Sequence, residues 1–182
     1  MGLKKGQELK DKEAKDLFYS SQFEKIYFKT LNFLSYRPRS EKEIKGYLRK
    51  NLFTRTTVVD EVKRKIQRKI LKRLKKQKLL NDYQFAEWWI DQRLAHRPRG
   101  KMFLKAELLQ KGIEKEIIDR VLSTINNQQL AILAEKIIDK KMKFYKKLPE
   151  LKLKQKLFSH LSRRGFDFAI IKKLIDEKLK KG

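Results

Sequence analysis

The sequence predicts an all-α protein in which three tandem three-helix repeats form an elongated, curved array. Three observations lead to this prediction. Only seven Gly and three Pro occur among 182 residues, and so few turn residues favour helices over many short strands. Apolar residues recur at spacings of three and four, as they do on one face of a helix. Parts of the sequence also repeat, and stacked repeats bury a continuous core.

The repetition is clearest in two stretches that begin with Arg-Pro-Arg. Residues 37–52 read RPRSEKEIKGYLRKNL, and residues 97–112 read RPRGKMFLKAELLQKG, a shift of 60 positions. A second shift, of 53 positions, aligns LLQKGIEKEII with LSRRGFDFAII. The two shifts bring three leucines into register, and we expect all three to be buried between helices: Leu48, Leu108 and Leu161.

These repeats predict the organisation of the chain. Residues 1–21 are expected to form a tail of mixed charge that is frayed or weakly helical. The three repeats that follow are expected at residues 22–78, 79–125 and 126–182. A unit of about 45–60 residues is marginally stable alone, so each should bury its apolar face against its neighbours.

Local signals indicate where helices begin and end. Pro38 disfavours helical geometry at the residue before it, so the first helix should end there. Ser40 and Glu43 have the spacing of a capping box, in which each side chain bonds to the other residue's backbone N–H. Asn81 or Asp82 can cap the helix that opens the second repeat. Gly112 is well placed to terminate a helix.

The helix expected at residues 57–78 separates apolar and basic residues. Its apolar stripe recurs every four residues and comprises Val58, Val62, Ile66, Ile70 and Leu74. At about 100° per residue, Arg64, Arg68 and Lys72 point to the opposite face. The excess of one sign of charge favours a binding role for these three residues and Lys75, although a merely solvated face is the alternative.

The charge of the whole chain indicates a polyanionic partner. Lys and Arg total 48 against 22 Asp and Glu, which gives a net charge of +26. Nucleic acid, or a protein assembled on it, is the natural partner for such a charge. An adaptation for solubility is the alternative. The two Arg-Pro-Arg elements, at 37–39 and 97–99, could hold phosphates or simply form turns between helices. The second candidate contact lies at the repeat junctions and comprises Arg97, Arg99, Arg163 and Arg164.

Residue patterns that support catalysis are missing. The chain has no Cys, and its two histidines, His96 and His160, lie far apart in sequence without a metal-ligand pattern. Glu87 and Asp91 lie four residues apart but are best interpreted as surface carboxylates. Trp88 and Trp89 could stack on bases, but a role in the core is the preferred interpretation. We therefore expect no enzyme activity, no cofactor and no metal.

Four stretches together resemble the RecX family of bacterial regulators of the RecA recombinase. They are RPRSEKEIKGYL (37–48), LLNDYQFAEWWIDQR (79–93), ELLQKGI (107–113) and LSRRGF (161–166). Their order, their spacing and the layout in three repeats match the family over about residues 22–180. The chain departs from the family pattern in its more basic helix at 57–78 and in its extreme overall charge.

The lack of Cys and of a long apolar run fits a soluble cytoplasmic protein that makes no membrane contact, and we expect a monomer. The resemblance implies a non-enzymatic protein that binds along the groove of the RecA–DNA filament. Members of the family typically suppress the ATPase, strand-exchange and co-protease activities of RecA in DNA repair. The alternative is a basic helical protein that binds DNA or RNA directly, without a recombinase. A binding assay with bare and RecA-coated single-stranded DNA separates the two.

Overall fold

The computed structural model describes residues 11–53, 59–145 and 147–180, and within these ranges the chain forms nine α-helices and no β-strand. The prediction of an all-α fold with three-helix domains in tandem is confirmed. The predicted curved shape and repeat boundaries stay predictions. The helices are α1 (Asp11–Ser35), α2 (Glu41–Phe53), α3 (Asp60–Lys76), α4 (Asp82–His96), α5 (Lys101–Gln110), α6 (Lys115–Ser123), α7 (Asn127–Tyr145), α8 (Glu150–Ser162) and α9 (Phe168–Leu179).

The chain divides into two compact units, within residues 1–81 and 82–182. In the first unit, α1, α2 and α3 pack against one another in all three pairs. From α1 their shared core takes Phe23, Ile26 and Tyr27. The other two helices contribute aliphatic residues, which include Ile44, Leu48, Ile66, Ile70 and Leu74. The stripe predicted on α3 therefore faces the core from Ile66 to Leu74, with Val62 partly buried; Val58 lies outside the described residues.

The first helix begins at Asp11, well before the predicted start near residue 22. The side chain of Tyr19 packs against the core of the first unit. The ammonium groups of Lys65 and Lys69 on α3 lie 5.3 and 5.4 Å from the centre of its ring. The segment expected to be frayed or weakly helical is thus helical from Asp11, and its Asp16, Leu17 and Phe18 side chains are exposed.

The predicted capping box at the start of α2 is confirmed. The backbone N–H of Glu43 donates to the Ser40 hydroxyl oxygen at 3.2 Å. The backbone N–H of Ser40 donates to the Glu43 carboxylate at 3.4 Å. Ser40 is fully buried, so this exchange satisfies backbone donors that water cannot reach.

The second unit contains α4 to α9 around one continuous core, which runs from Phe85 to Ile175. The helices of the second and third predicted repeats therefore share their buried surface instead of forming separate cores. Leu108 of α5 is fully buried, and Leu161 of α8 is 1% exposed. With Leu48 fully buried in the first unit, the predicted burial of all three repeated leucines is confirmed.

Two glycines terminate helices in the second unit with left-handed backbone conformations. Gly112 has φ of 79° and Gly165 has φ of 76°, a region that residues with a Cβ rarely adopt. After Gly112, the N–H of Ile113 donates to the Leu108 carbonyl at 3.1 Å. After Gly165, the N–H of Phe166 donates to the Leu161 carbonyl at 3.3 Å. Both ends are Schellman motifs, so the predicted stop at Gly112 is confirmed.

A backbone contact joins the turn before α5 to the turn after α8. The N–H of Gly100 donates to the carbonyl oxygen of Arg164 at 2.9 Å. A Cβ at position 100 would lie only 1.7 Å from the carbonyl oxygen of Gly165. Position 100 is therefore restricted to glycine by the approach of another stretch of backbone.

Truncation of Leu108 to Ala should lower the free energy of unfolding by about 2–5 kcal/mol, since it removes buried methyl groups and leaves a cavity. The matched control is Leu109→Ala, because Leu109 is 49% exposed. Urea denaturation followed by circular dichroism measures both variants. Equal losses in the two variants would contradict the assigned burial.

Replacement of Gly100 by Ala should destabilise the protein by about 1–3 kcal/mol, because the new methyl group overlaps backbone that cannot move freely. Gly46 in α2 is the control, since a Cβ there would meet no atom within 4 Å. Gly46→Ala should stabilise the protein by roughly 0.5–1 kcal/mol through the better helix propensity of Ala. Thermal unfolding should shift in opposite directions for the two variants, and a neutral Gly100→Ala would refute the close contact.

Candidate nucleic-acid interface

The face of α3 opposite the core presents a row of free cations. Arg64, Arg68 and Lys72 are exposed, as their helical spacing predicted. Within the part of the chain that the structure describes, none of the three forms an ion pair. Because α3 is anchored by its buried aliphatic residues, this row is held on a fixed support and makes no contribution to packing. We refer to Arg64, Arg68 and Lys72 as the α3 row.

Other cations of α3 have a structural role. The ammonium of Lys69 lies 4.6 Å from the ring centre of Phe23, and the guanidinium of Arg73 lies 4.1 Å from that of Tyr27. Arg73 also pairs with Glu24 at 3.1 Å. Lys63 is 7% exposed and pairs with Asp60 at 3.1 Å. These side chains bind α3 to α1 or close its first turn, so only part of the basic excess of this helix is free for a partner.

Lys75, the fourth cation predicted on this face, differs from the α3 row. Its ammonium lies 2.6 Å from the carboxylate of Glu41, which Lys45 also approaches at 2.8 Å. Partial burial acts to raise the pKa of Glu41, but hydrogen bonds from Lys45 and Lys75 outweigh it and leave that pKa lowered. Lys75 therefore joins α3 to α2, and its charge is already partly neutralised.

Both arginines of the first Arg-Pro-Arg element have partners within the protein. The guanidinium of Arg37 donates two hydrogen bonds to the carboxylate of Glu43, at 2.9 and 3.1 Å. Arg39 stacks over Phe33, with 3.9 Å between the guanidinium carbon and the ring centre. On this element the turn interpretation is favoured over a phosphate clamp, because both cations already have partners.

The second Arg-Pro-Arg element has no counterpart of the Glu43 carboxylate, which accepts hydrogen bonds from Arg37 in the first element. A shift of 60 positions aligns Glu43 with Phe103 and Ser40 with Gly100. Arg97 is exposed and has no ion pair among the described residues, whereas Arg99 lies 5.1 Å from the ring centre of Phe103. The two elements therefore share a sequence but leave different amounts of positive charge accessible.

The contact at Gly100 brings the four junction arginines close together in the second unit. Gly100 bonds to the backbone of Arg164, which places Arg97 and Arg99 beside Arg163 and Arg164. Partial burial and the nearby Arg99 lower the pKa of Arg164. Arg163 is exposed, and its Nε donates to the Ser159 carbonyl at 3.3 Å. The structure thus unites the second set of predicted contact residues, while their function stays a prediction.

A cavity of about 490 Å³ adjoins these arginines, between the end of α4, α7 and the end of α8. Besides Arg97 and Arg164, its lining includes three lysines of α7 and both histidines of the chain, namely Lys136, Lys140, Lys141, His96 and His160. Sequence reasoning missed this cluster because its members come from three helices. The available signal was Lys136 and Lys140, which lie four residues apart on one helix.

The tryptophans of α4 belong to the core side of the second unit. Phe85 is buried, and Trp88 and Trp89 are partly buried against the same cluster. The indole N–H of Trp89 donates to Glu107 at 2.8 Å, and the guanidinium of Arg93 lies 4.4 Å from its ring centre. These contacts favour the preferred interpretation of the tryptophans as packing residues.

The carboxylates of α4 do not form part of a metal site among the described residues. Glu87 and Asp91 are both exposed on α4. Within residues 11–53, 59–145 and 147–180, no three His, Asp or Glu side chains come together as a metal site would require. In the same ranges, no helix has the length and apolar character needed to cross a bilayer.

Comparison with known families identifies the chain. Three RecX domain models match consecutive parts of it: the first three-helix domain at residues 27–64, the second at 81–122 and the third at 132–175. The chain belongs to the RecX family. The resemblance drawn from the four sequence stretches is therefore confirmed.

RecX proteins of other bacteria show the extent of the similarity. The chain is 33% identical over 175 residues to the regulatory protein RecX of Oceanobacillus iheyensis and 34% identical over 175 residues to that of Bacillus subtilis. Both alignments cover 96% of this chain but only 61% and 63% of the relatives. This RecX chain thus spans about three-fifths of the length of these relatives.

Solved RecX structures share the fold. The crystal structure of a regulatory protein RecX matches with a TM-score of 0.76 at 28% identity, over 96% of this chain and 83% of that chain. RecX from Lactobacillus salivarius matches with a TM-score of 0.71 at 24% identity, over 87% of this chain and 97% of that chain.

Proposed function

We propose that this RecX protein binds the RecA–DNA filament and inhibits the recombinase, without catalysing a reaction itself. The α3 row is the observation that carries the proposal. Arg64, Arg68 and Lys72 are exposed and unpaired among the described residues, in a chain with a net charge of +26. Regulation of a DNA-bound recombinase in DNA repair would take place in the cytoplasm.

The geometry of the α3 row suits a polyanionic surface. Residues four positions apart are separated by about 6 Å along a helix, so the three charges extend over about 12 Å. A DNA strand carries one phosphate about every 3.4 Å of helix axis, so a row of this length can face several phosphates at once. Because α3 is already anchored, its backbone loses little conformational freedom on binding, which favours affinity.

Direct binding to DNA or RNA without a recombinase is the second candidate function. The junction arginines of the second unit favour it, because Arg97 is exposed and unpaired among the described residues and Arg163 is exposed nearby. Single-stranded DNA with and without a RecA coat separates the candidates. A filament regulator should bind the coated strand more tightly at equal salt, whereas a general nucleic-acid binder should favour the bare strand.

Reversal of the α3 row through Arg64→Glu, Arg68→Glu and Lys72→Glu should strongly weaken binding to the filament and inhibition of its ATPase. The three side chains make no packing contact with the core, so helical content and thermal stability should stay nearly unchanged. The lost attraction and the slower steered association both act against binding. Fluorescence anisotropy of labelled filaments and RecA ATP hydrolysis provide the two measurements.

Two controls accompany this triple variant. Reversal of three exposed lysines elsewhere, Lys115, Lys152 and Lys172, changes the net charge equally and should weaken binding much less. Reversal of Arg97, Arg99, Arg163 and Arg164 tests the alternative contact. If the α3 triple variant binds the filament and inhibits RecA as well as the unchanged protein does, the α3 row is only solvated surface.

Binding to bare duplex DNA should depend steeply on salt. Neutralisation of about six phosphates predicts a slope near −5 for the logarithm of the binding constant against that of the salt concentration, from ~0.9 per phosphate. Titrations between about 50 and 200 mM salt measure this slope, because contacts with phosphates weaken strongly over that range. A slope near zero would mean that the positive charge does not determine binding.

A further inference from the structure

The cationic cavity of the second unit has the composition of an anion site. Five basic side chains line it: Arg97, Lys136, Lys140, Lys141 and Arg164. No carboxylate is part of its lining, and none of the five cations forms an ion pair within residues 59–145 and 147–180. The two carboxylates of the same stretch of α7, Glu135 and Asp139, both approach Lys178 of α9, at 2.8 and 2.7 Å.

The shape of the cavity adds to this charge. Its volume of about 490 Å³ lies within the range of small-molecule sites, and it is far larger than a bare inorganic anion requires. Leu94, Leu133 and Ile137 form apolar parts of the wall. A ligand that carries a phosphate on an organic body would use both the cations and the apolar surface.

The ring of His160 is part of the cavity lining. Its Nε2 atom is buried and has no hydrogen-bond partner among the described residues. Partial burial, followed by the positive charges of Arg164, Lys141 and Arg163, lowers the pKa of its imidazole. Because Nε2 is closed to solvent in the free protein, the ring has to turn toward the cavity before an anion supplies the missing partner and favours the protonated ring.

We propose that this cavity binds the phosphate group of a nucleotide, either free or as a unit of a single strand, and that His160 donates a hydrogen bond to that phosphate. Lys136, Lys140 and Arg164 supply the neutralising charge. The inference rests on the proposed function only where the phosphate belongs to a single strand. A free nucleotide needs no recombinase, because the cavity is built by the second unit alone.

Binding is coupled to protonation of His160. The charged and titratable groups around this ring come from each neighbouring segment: His96 and Arg97 at the end of α4, Lys136, Lys140 and Lys141 on α7, and Arg163 and Arg164 after α8. A bound phosphate raises the depressed pKa of His160, so the complex takes up a proton. The affinity for the phosphate should therefore rise as the pH falls from the pKa of His160 in the complex to its pKa in the free protein. Below the pKa of the free protein the affinity should level off.

The two histidines make a direct test possible, since the imidazole signals of the full chain come from His96 and His160 only. His96→Gln and His160→Gln assign these two signals in proton NMR. Three probes are then added in turn: inorganic phosphate, ATP and a 20-nucleotide oligothymidylate. The His160 signal should shift, and its titration midpoint should rise by about one pH unit, as an opposite charge at close range produces.

The probes distinguish the two sources of the phosphate. A response to ATP at lower concentration than to the oligonucleotide assigns the site to a free nucleotide, and the reverse assigns it to a single strand. The pH dependence of affinity is measured with the oligonucleotide, because its phosphodiesters do not titrate in this range. His160→Gln should abolish this pH dependence, whereas His96→Gln should preserve it. A His160 signal that responds to none of the three probes overturns the proposal.

A charge-reversed pair tests the cations. The double variant Lys136→Glu, Lys140→Glu alters two exposed residues of α7. It should reduce the affinity for the oligonucleotide at least tenfold and remove the response of the His160 signal. Lys115→Glu with Lys172→Glu, two exposed lysines outside the cavity, should retain both. Equal affinity of the two pairs refutes the site. If the His160 signal responds to the probes but the protein does not inhibit RecA, the proposed function is refuted and this site is retained. If the protein inhibits RecA but the His160 signal does not respond, this site is refuted and the proposed function is retained.

Discussion

The close approach of the Gly100 and Gly165 backbones determines most of the chemistry of the second unit. Gly100 bonds to the Arg164 carbonyl, and neither turn has room for an additional Cβ, since one at Gly165 would lie 2.6 Å from the Phe103 ring. This contact brings two arginine-rich turns together although more than sixty residues separate them in sequence. The junction arginines and the rim of the cavity both depend on it. A backbone contact of this kind holds charges close to one another that would otherwise repel.

The positive charges of the chain divide into two groups with different physical roles. Lys69 and Arg73 lie over aromatic rings of α1, and Arg37 is held by two hydrogen bonds to Glu43. Such contacts stabilise the fold at a modest level for each pair. Among the described residues no carboxylate pairs with the α3 row or with the cations of the cavity, and of these only Lys141 lies near a ring, 5.7 Å from the centre of Phe144. A net charge alone does not distinguish the groups, because the distinction depends on which side chains find a ring or a carboxylate.

The sequence predicted the features that depend on neighbouring residues. The capping box at Ser40, the helix stop at Gly112 and the buried leucines all follow from local spacing, and all are confirmed. Features that depend on distant partners were not predicted. The pairing of Lys75 with Glu41 requires α2 and α3 to meet, and the cavity requires residues of α4, α7 and α8. The contact of Tyr19 with α3 depends likewise on a distant part of the chain.

The α3 row makes ionic strength act on folding and on binding in opposite directions. Like charges four residues apart destabilise a helix by about 0.2–0.5 kcal/mol per pair, and dissolved ions screen this repulsion. Added salt therefore strengthens α3 in the free protein while it weakens attraction to a polyanion. At low salt the free helix carries the most internal repulsion, and a polyanionic partner relieves it on contact. The partner then acts as a stabilising counterion for the fold, and the complex should resist unfolding at the ionic strengths at which the free chain is least stable.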